Sequence, residues 1–400
     1  RMERTRIGFL SALDENTPYM IPLEEASILI NTGKSYINVL RASQTFGDAS
    51  QVGAILTDRR LEGGGSGTIA ALDADIRLSS TYSIDGQWLA AHTAEPDDSL
   101  ETAGLEGIDF DNGKHTVAFD GESYWGHAFI TRLRRRARSW SSMLNYSEVS
   151  PSYRTESGYD PLMDYRDLSL WNGYNIYPSS GLFERITPQV YMSRRWAFDG
   201  ALRFENLNAS LNGRIRAAQT SFNLTYHTGA ESYAGRTYEN LWNVQANTYS
   251  RFMDQLGVGL YARYGKSIAR RARVAGDETA FSVNLDLKPI DRLTIEPNLD
   301  YQRSTHPETG AELYSGFITR TRFQLQANRQ MSVRLVVQYN DFRKTWDVDP
   351  LLTYRLSSFS VFYIGSTYDY SDYPVGPNDE TNFKMTSRQF FMKLQYLFQT

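Results

Sequence analysis

The chain has 400 residues, a formal net charge of -4 and a mean hydropathy of -0.48. Frequent charges exclude helical membrane spans, because no stretch approaches about 18 uncharged apolar residues. The near-neutral charge argues against a nucleic-acid-binding protein, and the absence of cysteine excludes disulfides, thiolate metal sites and a cysteine nucleophile. Aromatic residues are frequent, with 26 Tyr, 20 Phe and 7 Trp, and an ordinary soluble enzyme gives no reason for so many tyrosines.

Apolar and polar residues alternate along most of the chain, starting soon after Arg1, whereas helical periodicity is nearly absent. In 281–288, which reads FSVNLDLK, every second residue is apolar. Such alternation is typical of strands with one apolar and one polar face. It predicts about 20 strands of roughly 10 to 15 residues, at 4–13, 35–46, 51–61, 67–80, 83–95, 123–134, 138–149, 165–177, 185–196, 200–213, 218–229, 237–250, 257–270, 279–288, 292–304, 312–327, 331–342, 349–357, 359–370 and 387–398.

The lengths of the connections follow strand parity. Links after even-numbered strands are short, and links after odd-numbered strands are mostly longer, at 14–34, 62–66, 96–122, 150–164, 230–236, 271–278, 305–311, 343–348 and 371–386. Only the link around Asp199 clearly breaks this rule. Short turns at one rim and long loops at the other are typical of bacterial outer-membrane barrels. We therefore predict an all-β fold, a transmembrane antiparallel β-barrel of about 20 strands (range roughly 16 to 20), with short periplasmic turns and long extracellular loops.

Aromatic residues within or near the strand ends are expected to form girdles at the two lipid–water interfaces. They are Tyr146, Tyr177, Tyr226, Tyr301, Tyr339, Tyr354, Tyr396, Trp88, Trp140, Trp196 and Trp242. The alternative is aromatic packing inside a soluble β core. The closing strand, 387–398, is amphipathic and rich in aromatic residues. It resembles the assembly signal of outer-membrane proteins, with Tyr396 and Phe398 as its candidate residues and the barrel assembly machinery as the expected partner.

Charged residues on the polar faces are the candidates for function. A basic side chain that faces lipid would cost about 2–4 kcal/mol at the bilayer midplane, so alternation directs these residues into the lumen. They are Asp73, Asp75, Arg77, Arg263, Asp286, Lys288, Glu296, Asp300, Arg320, Arg322 and Arg334. As lumen-lining residues they would set the selectivity of a porin-like channel or of a conduit for solute uptake or export. The open alternative is a lumen plugged by its own ion pairs or by a loop.

No pattern in the sequence defines a catalytic or metal centre. None of the five histidines has a metal-ligand spacing. His92 could form a hydrolase trio with Asp97 and Ser99, but loops rich in Ser and Asp produce such trios by chance. The segment DFDNG at 109–113 lacks the further ligands of a calcium loop, and RLRRRAR at 132–138 is interpreted as a polar rim at a short turn. We therefore predict a protein that is not an enzyme and that has no catalytic residues, no cofactor and no metal.

Several segments resemble the barrel of the DUF5916 family, a group of outer-membrane proteins of uncharacterised function. The similar segments are VGAILTDRRL at 52–61, ALDADIRL at 71–78, SPSYRTESGYDPLMDYRDLSL at 150–170, LVVQYNDF at 335–342 and KLQYLF at 393–398. The resemblance covers essentially the whole chain. After Gly158 the family usually reads Phe-Val-Pro-Arg, whereas Tyr159, Asp160 and Leu162 here replace Phe, Val and Arg. This chain therefore has no arginine at that position to perform any role that the family's arginine has.

The resemblance implies that residues 1–400 form a single outer-membrane β-barrel domain in a Gram-negative envelope. Because the chain lacks a charged and then apolar leader, we expect an upstream part to precede it. Family members commonly carry an N-terminal periplasmic domain similar to carbohydrate-binding modules of family 9, so glycans are expected partners only through that missing domain. Outer-membrane lipids are expected partners, and nucleic acid is not. The alternative function is a structural or anchoring barrel that tethers this domain or partner proteins without transport.

Overall fold

Strands make up almost all of the regular structure. The computed structural model describes residues 4–24, 26–105, 107–158, 160–357, 359–374 and 381–397. Its strands are β1 (Arg4–Asp14), β2 (Thr17–Pro22), β3 (Ser27–Thr32), β4 (Ser35–Phe46), β5 (Ser50–Leu61), β6 (Ser66–Arg77), β7 (Tyr82–Ala94), β8 (Asp109–Phe110), β9 (His115–Thr116), β10 (Ser123–Arg136), β11 (Trp140–Val149), β12 (Tyr165–Tyr174), β13 (Phe183–Trp196), β14 (Leu202–Ile215), β15 (Ser221–Tyr233), β16 (Arg236–Met253), β17 (Leu256–Ala269), β18 (Val274–Ile290), β19 (Leu293–Thr305), β20 (Glu312–Gln326), β21 (Met331–Asn340), β22 (Thr345–Arg355), β23 (Val361–Pro374) and β24 (Thr381–Gln395). Within these ranges no helix is long and apolar enough to cross a bilayer.

Twenty of the strands belong to one antiparallel sheet, and the other four form two separate hairpins, β2–β3 and β8–β9. Each of the 20 predicted strands coincides with a strand of this sheet, which confirms the predicted all-β fold. The hairpins lie inside the predicted links 14–34 and 96–122 and were not predicted. Their strands are only 6 and 2 residues long in β2 and β8, too short for alternation to reveal them.

Several strands run past their predicted ends. Because β15 reaches Tyr233 and β18 already begins at Val274, the predicted links 230–236 and 271–278 shrink to turns at 234–235 and 270–273. Ala234 and Gly235 have φ angles of 52° and 73°, as a two-residue hairpin turn requires. Where paired strands extend beyond lipid, both faces can be polar, so alternation no longer marks their ends.

Among the links that lie almost entirely within the described ranges, three are long: 15–34, 95–122 and 150–164. The last predicted strand, 387–398, begins earlier, at Thr381, and the link before it at 375–380 lies outside the described residues.

One compact unit comprises residues 1–175, 189–208 and 229–239. In it β4 pairs with β1 and β5, β6 with β5 and β7, β10 with β7 and β11, and β12 with β11 and β13. Leu72 and Trp88 are cross-strand neighbours and are 59% and 46% exposed, on what we call the apolar face. Asp73 and Gln87 are neighbours on the opposite, polar face.

The three long connections pack on this polar face and form a buried cluster that we call the loop core. Its members from the connections, Tyr19, Ile21, Phe110, Val117, Phe119, Tyr153 and Met163, pack with the strand residues Ile69, Ala91, Tyr124, Ala128 and Val149. Two glycines make room for segment 150–164. A Cβ atom on Gly67 would lie 1.7 Å from Cγ of Glu156, and one on Gly126 would lie 2.3 Å from Cα of Tyr153.

The other compact unit comprises residues 176–188, 209–228 and 240–400. Its strands from β16 to β24 pair in chain order, each antiparallel to the next. Phe281 and Leu260 are 41% and 47% exposed on its apolar face, where Phe281 stacks on Tyr301 at 5.0 Å. Asn284 and Asn298 are cross-strand neighbours on its polar face.

Candidate functional site

Ion pairs occupy much of the polar face in the first unit. Arg41 binds Asp73 through two hydrogen bonds, one of them 2.8 Å from Nη2 to Oδ1. The pair passes over Gly53, where a Cβ atom would lie 2.5 Å from Arg41 Nη2. Because Gly53 of β5 has no side chain, Arg41 of β4 can reach Asp73 of β6 across the strand between them. Asp85 of β7 pairs with two arginines of the adjacent strand β10. They are Arg132, at 2.8 Å from Nε to Oδ2, and Arg134.

The polar face of the second unit repeats this chemistry. Arg263 pairs with Glu278, and Arg322 pairs with Glu296. Asp286 accepts a hydrogen bond of 2.7 Å from the Tyr249 hydroxyl.

Strand registers place the predicted lumen-lining residues on the polar faces of their units. Lys288 is the exception, because it lies at a register shift in β18. Alternation from Asp286, two residues earlier, assigns Lys288 to the same polar face. Within the described residues, some of them form no ion pair and are exposed: Asp75, Lys288, Asp300, Arg320 and Arg334. Arg77 donates to the Ser79 carbonyl at 3.2 Å. That these side chains line a lumen stays a prediction.

The loop core encloses a second, wholly buried group of charges. Arg154 donates to Oε1 of Glu95 at 2.6 Å, and both side chains have 0% exposure. The Tyr124 hydroxyl donates to the same oxygen at 2.8 Å. The guanidinium also lies 4.9 Å from the ring centre of Phe110. This pair ties segment 150–164 to the end of β7.

Glu156 joins the first and third long connections. Its Oε1 accepts a hydrogen bond of 2.8 Å from the Tyr19 hydroxyl in β2, and its carbonyl accepts one from Arg59 of β5. Burial raises the pKa of Glu156 to about 7, and Arg154 and Arg59 oppose that rise. Burial likewise raises the pKa of Glu95, against the attraction of Arg154. The loop core therefore holds two carboxyl groups whose charge costs free energy.

Sequence reasoning missed these residues. Arg154 and Glu156 stand in a segment where no periodicity marks them as buried. Glu95 directly precedes a loop rich in carboxylates, a position typical of solvated residues, whereas its side chain is fully buried. A weak signal existed: three charged residues lie within the short SPSYRTESGYD segment, which no lipid-facing pattern explains.

Three carboxylates of the first unit could offer oxygen ligands to a cation. Atoms of Glu95, Asp120 and Glu122 lie within 4.8 Å of one another. Glu122 shares a hydrogen bond of 2.9 Å with His115, and Arg154 compensates the charge of Glu95, so the group is partly neutralised without an ion. The predicted absence of a metal stays a prediction.

The remaining sequence candidates are dispersed. His92 shares a hydrogen bond of 3.1 Å with Ser123 and packs on Trp125. Among the described residues, no hydrogen bond joins His92 to Asp97 or Ser99. Segment 109–113 forms the tight hairpin β8–β9.

Aromatic residues and the closing strand also have definite places. Arg135 stacks on Trp140, at 4.2 Å from the ring centre, beside the β10–β11 turn. Trp140 therefore lies at a strand end, and its place in an interfacial girdle stays a prediction. Trp88 instead lies in the middle of β7. Tyr396 follows β24 and is 57% exposed, and Phe398 lies outside the described residues.

Comparisons with known proteins bear on the fold. The chain is similar to the siderophore receptor PirA from Acinetobacter baumannii, with 9% identity and a TM-score of 0.54 over 98% of this chain and 73% of that one. It is also similar to a mutant of the ferric enterobactin receptor PfeA from Pseudomonas aeruginosa, with 8% identity and a TM-score of 0.57 over 98% and 72%. PirA from Pseudomonas aeruginosa gives 8% identity and a TM-score of 0.55 over 92% and 71%.

At such identities the likeness shows the fold alone, which is that of an outer-membrane β-barrel. No family model matches the chain, and no curated protein matches it in sequence.

Proposed function

We propose that this chain is an outer-membrane barrel that carries a solute through its lumen, with the loop core controlling access from the long-loop rim. The observation that carries the proposal is the contrast between the two faces of the sheet. One face exposes large apolar residues such as Leu72 and Phe281, as lipid contact requires. The other presents exposed charges of both signs, which suit an aqueous path.

The solved structures of similar fold support uptake as the direction of this transport. PirA and PfeA are a siderophore receptor and a ferric enterobactin receptor. A receptor captures its solute before the solute passes inward, and a packed loop core fits capture better than it fits an always-open pore. The bacterial outer membrane is the proposed location, with its lipids and the barrel assembly machinery as partners.

A structural or anchoring barrel is the second candidate, and the loop core favours it. Segments 15–34, 95–122 and 150–164 cover part of the polar face with buried side chains, as a plugged barrel would require. Membership of the DUF5916 family, with a glycan-binding domain upstream, belongs to this second proposal. Neither candidate assigns an enzymatic role.

Single-channel recording in planar bilayers separates the two candidates. We expect the intact chain to conduct rarely, because the loop core is packed on the polar face. The variant Arg154→Ala with Glu156→Ala removes the buried ties of segment 150–164 and should open at least several times more often. Arg194→Ala removes an exposed pair with Glu205, 3.8 Å apart, and serves as the control that leaves conductance unchanged. If neither the intact chain nor the loop-core variant gives steps at any voltage, the conduit is wrong and the anchoring barrel takes its place.

A further inference from the structure

A cavity of about 400 Å³ lies between segment 150–164 and the polar face of the first unit. Its wall is built by strand residues that include Ile55, Thr57 and Leu89. Its cover is built by Tyr153 and Asp160 among others. The volume is at the lower end of the range for small-molecule sites, roughly 300–1,000 Å³.

Three hydroxyl groups of residues that line this cavity have no hydrogen-bond partner among the described residues. They belong to Thr57 on the wall and to Thr155 and Ser157 on the cover, and their oxygen atoms are buried. Buried hydroxyl groups almost always have a partner, because leaving one unpaired costs stability. Three such groups at one cavity therefore point to partners that the described residues do not supply.

The rest of the lining narrows the chemistry of those partners. The cavity has apolar surface from Ile55, Ile69 and Leu89, and phenol groups from Tyr153 and Tyr165. Among the described residues, no Lys or Arg lines it. Two carboxyl groups, Asp160 and Glu148, also line it. Arg195 lies near Asp160, and Arg166 lies 3.6 Å from Glu148, so each carboxylate has a compensating positive charge. Burial nevertheless raises the pKa of Asp160. An anion would meet no basic side chain, and a cation would meet carboxylates that are already compensated.

We propose that this cavity binds a small neutral polyhydroxylated solute, of the size of a mono- or disaccharide. Hydroxyl groups of the solute can donate to and accept from Thr57, Thr155 and Ser157, and its C–H surface can pack on Tyr153 and the apolar wall. The inference rests on the proposed function, because it names the class of solute that the conduit captures beneath the loop core.

Saturation-transfer NMR on the purified chain tests the site, with glucose and maltose as probes and a detergent that has no sugar headgroup. We expect saturation transfer to at least one probe. Thr57→Val, Thr155→Val and Ser157→Ala should each weaken binding about threefold to tenfold. The control Thr319→Val removes a hydroxyl whose partner is the Asn298 carbonyl at 3.0 Å, outside the cavity, and should bind like the unaltered chain.

Thermal unfolding without sugar supplies a second measurement on the same variants. A hydroxyl without a protein partner contributes nothing when the solute is absent, so Thr57→Val and Thr155→Val should unfold no earlier than the unaltered chain. A weakened affinity in a variant of unchanged stability then reports lost contacts with the sugar.

Each contrary outcome is distinct. If neither sugar gives saturation transfer, or if the three variants bind as well as the control, the sugar site is wrong. Tighter binding of glucuronate or glucosamine than of glucose would overturn the neutral class of solute. Conductance without sugar binding would overturn this inference and leave the conduit standing, whereas sugar binding without conductance would place the site in an anchoring barrel.

Discussion

Glu156 is the residue whose surroundings make the loop core sensitive to pH. It faces Arg59 of β5, Arg154 of its own segment, Tyr19 of β2 and Glu95 after β7. Burial raises its pKa from 4.5 to about 7, so the folded chain holds the proton more tightly than the unfolded chain. The stabilisation is fully present below pH 4.5 and is lost as the pH rises through about 7.

We therefore expect the amides of segment 150–158 to be better protected from hydrogen exchange at pH 5 than at pH 8, by roughly tenfold or more after correction for intrinsic rates. Glu156→Gln, which cannot ionise, should remove most of this difference. Protection that rises with pH, or a difference that survives in the Gln variant, would assign the pH response to another group.

The buried pair of Arg154 and Glu95 should be costly to break from one side. Arg154→Ala leaves a buried carboxylate without its partner, and we expect a loss of about 3–5 kcal/mol in the free energy of unfolding. Glu95→Gln in the same chain should restore part of it, because no charge is then stranded. Urea unfolding followed by tyrosine and tryptophan fluorescence measures this cycle, and Arg194→Ala at the exposed pair is the control. A loss in the double variant equal to the sum of the losses in Arg154→Ala and in Glu95→Gln alone would show that the charges are not coupled.

At this scale the sequence predicts which face a charge lies on, but not its partner. Alternation within β6 is enough to assign Asp73 to the polar face. Its pairing with Arg41, 32 residues earlier, depends on the registers of β4, β5 and β6 together. The same holds for Arg154 and Glu95, which are 59 residues apart, since Arg154 lies in a segment without any periodicity. Burial of charges in loops leaves no local trace in a sequence.

Elements differ in how far they can be predicted. A sheet whose two faces meet different surroundings imposes a period of two residues. That alternation predicts a strand at the position of each of the 20 strands of the sheet. The connections have no such constraint. The loop core forms where β2–β3 and segments 95–122 and 150–164 pack on the strands. No local pattern in these segments predicts that packing. Turn positions at the water-exposed strand ends were misjudged for the same reason.

Close packing between a loop and a strand gives an element-scale prediction. A Cβ atom on Gly126 of β10 would lie 2.4 Å from the Ser152 carbonyl oxygen and 2.3 Å from Tyr153 Cα, both backbone atoms that cannot rotate away. Gly126→Ala should lower stability by about 1–3 kcal/mol and expose segment 150–164 to proteolysis. Gly8→Ala in β1 is the matched control, because nothing lies within 4 Å of its Cβ position. Equal proteolysis of both variants would mean that the segment does not depend on this contact.

Neighbouring positions of one strand test which face meets lipid. Leu72 is 59% exposed on the apolar face of β6, and Asp75 is exposed on the polar face. We expect Leu72→Arg to cost up to about 2–4 kcal/mol in lipid vesicles, whereas Asp75→Arg changes stability little. Heat-modifiable gel mobility after refolding into vesicles measures both variants. The reverse order of stability would mean that the assignment of faces is wrong.

The molecule as a whole combines charges that cancel with charges that do not. The opposite charges of a pair such as Arg263 and Glu278 nearly cancel at a distance. Such a pair therefore exerts little net electrostatic force on an ion that moves past it. Exposed charges without a pair, such as Arg320 and Arg334, act at a distance limited only by screening. Selectivity of a conduit should therefore follow the second class and not the first.

This difference gives a prediction for transport. In an open loop-core variant, Arg320→Glu with Arg334→Glu should move the reversal potential in a KCl gradient toward the value for potassium, since two exposed positive charges become negative. Exchanging the members of a pair, with Arg263→Glu and Glu278→Arg, should leave the reversal potential unchanged. If both double variants behave alike, the polar face of the second unit does not line the path of the ions, and the mixed charges serve to hold the strands together.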